Sequence, residues 1–495
     1  MSGRDRPGNR IIVLGALSTA GGFGVRFGAR FLFLIVAGHL FGAALFGGFS
    51  VAVALLETGV AVAGLSLKKS LFQILDEHDE SRITAPFIVM DAAVLVTGAG
   101  LAIGLLLMGA AYFLPSSVGA ADTRVAVFWT APLVASQALA DILFAATRWR
   151  HAVRHEVIGR SIVEPYALVG GAVIAYLLGA HATGLIIGYW VANIALVGYA
   201  IVAVRRSFEP FRIGGYRLDR RLVLAARNLL PNTGADLLNA LFLRIDIFLV
   251  SLFLGDRLAG IYGMAQQIRT PVRQVRQCFD NMLVPLVART LMRRGTAATV
   301  DALGTAARLI LSIQAPIFLL IVGFGASILG FFGSDFPAGY AALVLLTAAE
   351  AVQGSSGVGD LLFVFRSPKS GLWTMAGGFS AALAIAAFAI PMFGITGAAA
   401  AMLLASLYQA MLRHRILRTR FGARGDSLSL SQPVFAGLAG LAMLGFLHPV
   451  VGLDAPFLPV LLGLVAYMGG LALFLRWSGE TLALRGFAAG EPTLS

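Results

Sequence analysis

The chain has 495 residues, 58% of them hydrophobic and 13% charged, with a formal net charge of +13. Soluble domains carry about 25% charged residues, so this composition and a mean hydropathy of +0.84 exclude an ordinary water-soluble enzyme. A single cysteine, Cys278, excludes an intramolecular disulfide and a cysteine-held metal cluster.

Apolar stretches of roughly 20 residues or more recur from Ile11 to Trp477, enough to cross a hydrocarbon core about 30 Å thick. In chain order they predict fourteen membrane spans: 11–37, 44–67, 83–111, 124–147, 158–180, 183–204, 222–254, 258–286, 300–330, 338–365, 370–391, 395–413, 433–450 and 456–476. Met1 to Arg10 has the look of a signal-peptide n-region. The apolar stretch behind it is too long for an h-region and carries Arg26 and Arg30, so it reads as a retained first span. The joints between spans are short and rich in Gly, Pro or charge, as helix ends require. Arginine outnumbers lysine 35 to 3, a bias that points to a GC-rich bacterial genome.

Positively charged loops resist translocation, which orients the bundle. With the N-terminus in the cytoplasm, 28 lysines and arginines fall in cytoplasmic segments, against Arg124 and Arg257 outside. The alternation holds over all seven external loops, and both termini are expected in the cytoplasm of a bacterial inner membrane. The same rule absorbs most of the excess positive charge, leaving no case for nucleic-acid binding.

The sequence repeats weakly at an offset near 215. Gly42-Ala-Ala-Leu-Phe-Gly47-Gly-Phe49 matches Gly255-Asp-Arg-Leu-Ala-Gly260-Ile-Tyr262; Ala140-Asp141-Ile-Leu-Phe144 matches Gly359-Asp360-Leu-Leu-Phe363; and Gly179-Ala-His-Ala-Thr-Gly184 matches Phe393-Gly394-Ile-Thr-Gly397. Each pair sits at the equivalent place in its half. The expected organisation is a six-helix bundle over 1–204, a basic cytoplasmic linker over 205–221, and a second six-helix bundle over 222–413. The segment 414–495 adds a loop, two further spans and a tail. Six spans per repeat make the copies parallel, as in transporters that hold substrate between halves and alternate their opening. The fold class expected is an all-α integral membrane protein, a V-shaped alternating-access transporter of about fourteen helices.

Charges at mid-membrane cost roughly 2.5–3.5 kcal/mol on insertion scales and face a cavity or a partner. The eighth span is the densest case, with Arg269, Arg273, Arg276 and Asp280 in one stripe about 60° wide at 100° per residue. The competing reading makes 269–280 a cytoplasmic loop, which leaves the flanking spans too short and breaks the charge alternation. Arg26 and Arg30 lie one turn apart on the first span and share a face. Arg244 and Asp246 in the seventh span are spaced by two, which directs each toward another helix; structural locking competes with substrate binding there. Glu57, in mid-span, is placed by the repeat level with Arg269 and Thr270, where it either neutralises the stripe or titrates as a coupling group. Asp141 and Asp360 lie near the cytoplasmic ends, as gate partners of loop arginines or as coupling candidates; Asp280 joins Glu57 and Asp246 in the same class. Asp91, Asp236 and Glu350 are further intramembrane acids.

Guanidinium forks match phosphate and carboxylate oxygens, so an arginine-lined cavity selects an anion. Pyrophosphate on a lipid carrier, an organic acid and a nucleotide sugar all meet that requirement. Nothing in the sequence supplies catalysis: there is no G-x-S-x-G, P-loop, H-E-x-x-H or EF-hand pattern, and the seven histidines show no metal-ligand spacing. No cofactor or metal is expected. Without an ATP site, the driving force is an ion gradient (H⁺ or Na⁺), the substrate gradient or the membrane potential.

Arg244-Ile-Asp246-Ile-Phe-Leu-Val-Ser-Leu-Phe-Leu-Gly255 followed by Gly260-Ile-Tyr262-Gly263-Met-Ala265 resembles the seventh-to-eighth-span signature of the polysaccharide (O-antigen, Wzx-type) flippases, a branch of the multidrug/oligosaccharidyl-lipid/polysaccharide exporter superfamily. Leu40-Phe-Gly42 through Phe49, and Phe393-Gly394-Ile-Thr-Gly397, are similar to its other joints. The resemblance covers roughly spans 1–12. It implies two six-helix bundles around a cationic cavity, with Arg26, Arg30, Arg269 and Arg273 at positions that hold the pyrophosphate of a polyprenyl-linked oligosaccharide. It further implies flipping of that lipid to the outer leaflet for O-antigen, capsule or exopolysaccharide synthesis, with a polysaccharide polymerase and chain-length regulator as partners. Lipid II flippases of the superfamily usually carry an arginine in the second span, where this chain has Glu57, and the multidrug branch usually has acidic cavities. Both rank below the polysaccharide branch as alternatives.

Overall fold

The computed structural model describes residues 28–68, 71–72, 75, 85–113, 121–208, 230–422, 431–451 and 457–478. Among them there is no strand, and seven helices are each long and apolar enough to cross a bilayer; two bent pairs pass the same test together. Positive-φ glycines at 42, 295 and 394 break the longest helical runs. With those breaks, every predicted span overlaps a helix. We number these α1 (28–41), α2 (Gly42–Ala63), α3 (Ala85–Phe113), α4 (121–149, bent at 131–132), α5 (Arg154–Leu177), α6 (Gly184–Ser207) and α7 (230–254, bent at 243–244). The rest are α8 (256–294), α9 (296–331), α10 (Phe336–Arg366), α11 (368–393), α12 (395–421), α13 (Ser431–Val451) and α14 (Phe457–Ser478). Together they make a multi-pass membrane protein.

Several boundaries differ from expectation. Residues 287–294, expected in a cytoplasmic loop, continue α8, and 414–421 continue α12. A helix closes its own backbone hydrogen bonds, so it need not stop where the apolar run stops. The Arg, Leu and Ala of these segments are good helix formers. Helix α5 begins at Arg154, ahead of the predicted 158. Arg26, most of the linker 205–221, and the tail beyond 478 lie outside the described residues.

The chain divides into two compact units, Met1–Gly260 and Ile261–Ser495. In the first, α5 lies along α6 and α3 along α4, with small residues at the closest points. A Cβ on Gly188 would stand 2.7 Å from the Ala172 nitrogen and the Leu168 carbonyl oxygen, and one on Gly100 2.6 Å from Ala135 Cα. Without a hydrophobic force between helices inside lipid, such backbone approach is what gives them contact. Helix α7 packs on α2. In the second unit α9, α10 and α11–α12 pack in sequence, and the α13–α14 pair docks on α9. There Tyr467 is fully buried with Leu319 and Ala436, and its hydroxyl donates to the Ser312 carbonyl at 2.8 Å.

Two of the repeat-matched glycines have one backbone conformation. Gly42 has φ 76°, ψ 178° and Gly255 φ 81°, ψ 178°, a region closed to a residue with a Cβ. Each ends one helix and starts the next at the same place in its repeat.

Candidate functional site

Charged side chains of the helices gather in two clusters, one in each unit. In the first unit, a cavity of about 430 Å³ is walled by α2, α4, α5, α6 and α7. Its charged lining is Glu57, Asp141, Glu164 and Asp236 against Lys68, Arg160 and Arg244, four acids facing three bases. Arg244 stands at the bend of α7, where the break at 243–244 turns its side chain toward α2. Its Nε donates to Glu57 Oε2 at 3.0 Å, and Nη2 binds the same oxygen. Asp246, two residues on, is buried, and its Oδ1 accepts from the Ile247 N–H at 2.9 Å. The spacing of two thus sends neighbouring charges to different surroundings.

Asp141 is the centre of the cavity's other network. Lys68 Nζ lies 3.2 Å from its Oδ2, and Arg160 Nη2 binds its Oδ1. Arg160 Nη1 also donates to Gln137 Oε1 at 2.8 Å and Glu164 Oε2 at 3.1 Å. After α2 the chain turns through Leu65 (φ 45°) and Ser66 (φ 53°), which places Ser66 Oγ 2.8 Å from Asp236 Oδ2.

The second unit holds the eighth-span stripe. Residues 270–294 are helical, which fixes Arg269, Arg273, Arg276 and Asp280 on one face of α8. Their carboxylate is Glu350 on α10: Arg273 Nε donates to Oε1 at 2.8 Å, and Arg269 Nη1 lies 3.6 Å from the same oxygen. The Arg269 side chain is 4% exposed and, among the described residues, its Nε has no hydrogen-bond partner; the Arg273 side chain is 32% exposed. One carboxylate therefore serves two guanidiniums. Arg276 is occupied differently. Its Nη1 and Nη2 donate to the carbonyls of Gln353 (3.1 Å) and Gly357 (2.9 Å), closing the end of the α10 segment Tyr340–Ser356. A cation there meets carbonyls that each accept only one backbone N–H, from Gly357 and from Asp360, and the negative end of the helix dipole. Gly357 admits the guanidinium because a Cβ would fall on it. Asp280 Oδ1 stands 3.7 Å from Arg276 Nε, too far for a hydrogen bond.

Asp360 on α10 meets Arg413 on α12 through two parallel hydrogen bonds of 2.8 Å. Of the remaining sequence candidates, Arg30 is half-buried on α1 and Arg26 is outside the described residues. Glu350, Glu164, Arg160, Arg413, Lys68 and Asp236 are the residues that sequence reasoning leaves out of the site. Arg160 and Arg413 count as loop charges in the topology, yet both sit within helices and Arg413 is buried. The signal for Glu350 and Asp236 is their position inside apolar spans.

The Glu57–Arg244 pair is half-open to solvent, with side chains 48% and 25% exposed. Glu57→Gln, Arg244→Gln and the double variant are expected to give a coupling free energy below about 1 kcal/mol in thermal or denaturant unfolding. A coupling above ~2 kcal/mol would show the pair to be desolvated and structural.

No family model and no curated protein sequence matches the chain. Solved structures do. A lipid II flippase, MurJ, in an inward closed conformation superposes with a TM-score of 0.72 at 11% identity, over 94% of this chain and 99% of that one. An inward-facing multidrug resistance MATE family transporter of the MOP superfamily gives 0.66 at 12% identity, over 80% and 94%. The MATE multidrug transporter DinF-BH, in complex with R6G, gives 0.56 at 15% identity, over 81% and 93%. The chain therefore shares its fold with these solved flippase and transporter structures.

Proposed function

We propose that the protein flips a polyprenyl-pyrophosphate-linked oligosaccharide from the cytoplasmic to the outer leaflet of a bacterial inner membrane, supplying surface polysaccharide synthesis. The observation that carries this reading is the sharing of one carboxylate, Glu350, by Arg269 and Arg273. Arg269 and Arg273 converge on that carboxylate, and Arg273, a third exposed, is the one an anion can approach. A pyrophosphate suits such a site because guanidinium forks bind its oxygens bidentately. The lipid tail stays in hydrocarbon while the headgroup follows the charge. No covalent bond is made or broken, so the protein's part is to lower the cost of moving an anion through a low-dielectric layer, with an H⁺ or Na⁺ gradient, the membrane potential or the lipid gradient as the drive.

The likeness to MurJ extends over 94% of the chain and supports a second reading, lipid II as the carried lipid. A deletion strain separates the two. Under the first reading surface polysaccharide disappears and lipid-linked oligosaccharide accumulates on the cytoplasmic leaflet. Complementation with Arg273→Ala fails to restore either, although the variant is made at normal level. Under the second, depletion stops cell-wall synthesis and lyses the cells. Normal polysaccharide with no trapped lipid, in a strain lacking other flippases of this fold, defeats the first reading.

A further inference from the structure

Helix α4 ends, α5 begins and α6 ends at the face that the charge bias directs to the cytoplasm. There the three enclose a cleft of about 280 Å³, lined by Arg150, Ala152, Arg154, His155, Arg206 and Ser207. Among the described residues no acid lines it. The carboxylate of the same joint, Glu156, is held by Arg148 at 3.2 Å. Arg150 is fixed in place: its Nε donates to the Ser207 carbonyl at 3.2 Å, and its guanidinium lies over the rings of Phe208 (5.5 Å) and Trp149 (5.9 Å). Those rings are themselves stacked, 6.2 Å apart and 10° from parallel. His155 Nδ1 lies 3.1 Å from the Tyr199 hydroxyl, bracing α5 against α6.

Basic side chains at helix C-termini are ordinary, since they meet unpaired carbonyls, and basic loops are ordinary on this face of a membrane protein. What distinguishes the cleft is the pairing of that charge with what continues below it. From Arg154, residues at four-residue spacing along α5 are Ile158, Ile162 and Tyr166, 36%, 44% and 45% exposed. From Arg206, the same spacing back along α6 gives Val202, Gly198 and Ile194, with Val202 45% and Ile194 65% exposed. Residues four apart share a helix face, so each arginine heads an apolar strip running toward mid-membrane. A cationic head with two exposed apolar strips beneath it matches the outline of a two-chain lipid with an anionic head.

We infer that this cleft seats the phosphodiester headgroup of an anionic phospholipid of the cytoplasmic leaflet, with its acyl chains along the Ile158–Ile162 and Val202–Ile194 strips. Arg154 and Arg206 bind the phosphate oxygens, and Arg150 on its aromatic shelf sets the depth. This site is independent of the proposed flipped substrate and of the charge clusters around Asp141 and Glu350.

The test uses the full chain purified in a neutral detergent, with phosphatidylglycerol, phosphatidylcholine and inorganic phosphate as separate probes. Native mass spectrometry counts retained lipid, and thermal unfolding reads stabilisation. The expected result is retention of phosphatidylglycerol over phosphatidylcholine by on the order of tenfold, lost in Arg154→Gln/Arg206→Gln. The control Arg293→Gln/Arg294→Gln, which removes equal charge from an exposed stretch of α8, keeps the preference. The single variants Arg154→Gln and Arg206→Gln each lose part of it and stand in if the double variant does not fold. Equal retention of both lipids, an equal loss in the control, or stabilisation by inorganic phosphate alone overturns the assignment.

Discussion

Gly260→Ala is expected to remove the folded protein from a fluorescence size-exclusion profile, or to lower its stability by on the order of 3 kcal/mol. A Cβ at Gly260 falls on the Ala43 carbonyl oxygen, 2.8 Å from its carbon and 3.0 Å from the Gly47 nitrogen. The obstacle is backbone on both sides, so no rotamer change relieves it. Gly47 is constrained reciprocally, its Cβ position 2.6 Å from the Gly260 nitrogen. Relief requires the start of α8 to move away from α2, and the first turns of both helices are anchored by the positive-φ glycines at 42 and 255. The comparison that isolates this cause is Gly170→Ala on α5, where a Cβ meets nothing within 4 Å. There the change is expected to be neutral or to stabilise by up to ~1 kcal/mol, because alanine is the better helix former. Equal behaviour of the two variants would show that the close approach of Gly47 and Gly260 is dispensable.

That approach also shows what the sequence carried and what it did not. The succession of apolar helices was legible because lipid imposes a length and an apolar run on each crossing. The glycine matches between halves were legible because Gly42 and Gly255 each serve a backbone conformation that other residues resist. That the matched glycines 47 and 260 come into backbone contact was not, since weak self-similarity says which residues are equivalent and not which ones meet. Charge partners were harder still. The repeat offset placed Glu57 level with the eighth-span stripe, whereas it is bonded to Arg244, and the stripe's carboxylate is Glu350, 77 residues from Arg273. An offset fixes depth in the membrane but not rotation about a helix axis, and rotation decides pairing. Arg276 illustrates the same limit. It shares a face with Arg269 and Arg273 by spacing, but the break in α10 at Gly357 presents it with carbonyls, and no one-dimensional pattern records a helix end on a neighbouring span. Arg160 and Arg413 were hidden for a different reason: near a predicted span end, a buried arginine and a loop arginine read alike in sequence.

Asp360→Ala is expected to cost about 3–5 kcal/mol, the range for stranding one charge of a buried pair. Arg413 is 4% exposed and Asp360 19%. The fork's third nitrogen reaches Ser356 Oγ at 3.2 Å and Gln353 Oε1 at 3.4 Å, and Gln353 in turn donates to Gln409 Oε1 at 2.8 Å. Removing the carboxylate leaves a guanidinium with only neutral acceptors inside the α10–α12 packing. The pair as a whole need not be stabilising, because bringing two ions out of water consumes most of what their attraction returns. Asp360→Leu with Arg413→Met is accordingly expected to recover most of the loss in thermal unfolding, and that recovery is the informative arm. If the double variant folds and still supports surface polysaccharide, the pair is structural. If it folds and does not, the salt bridge is one that transport has to break and remake, and its lower stability than an apolar pair is the property that retains it. A double variant as unstable as Asp360→Ala would place the loss in the Gln353–Ser356 network rather than in the stranded charge.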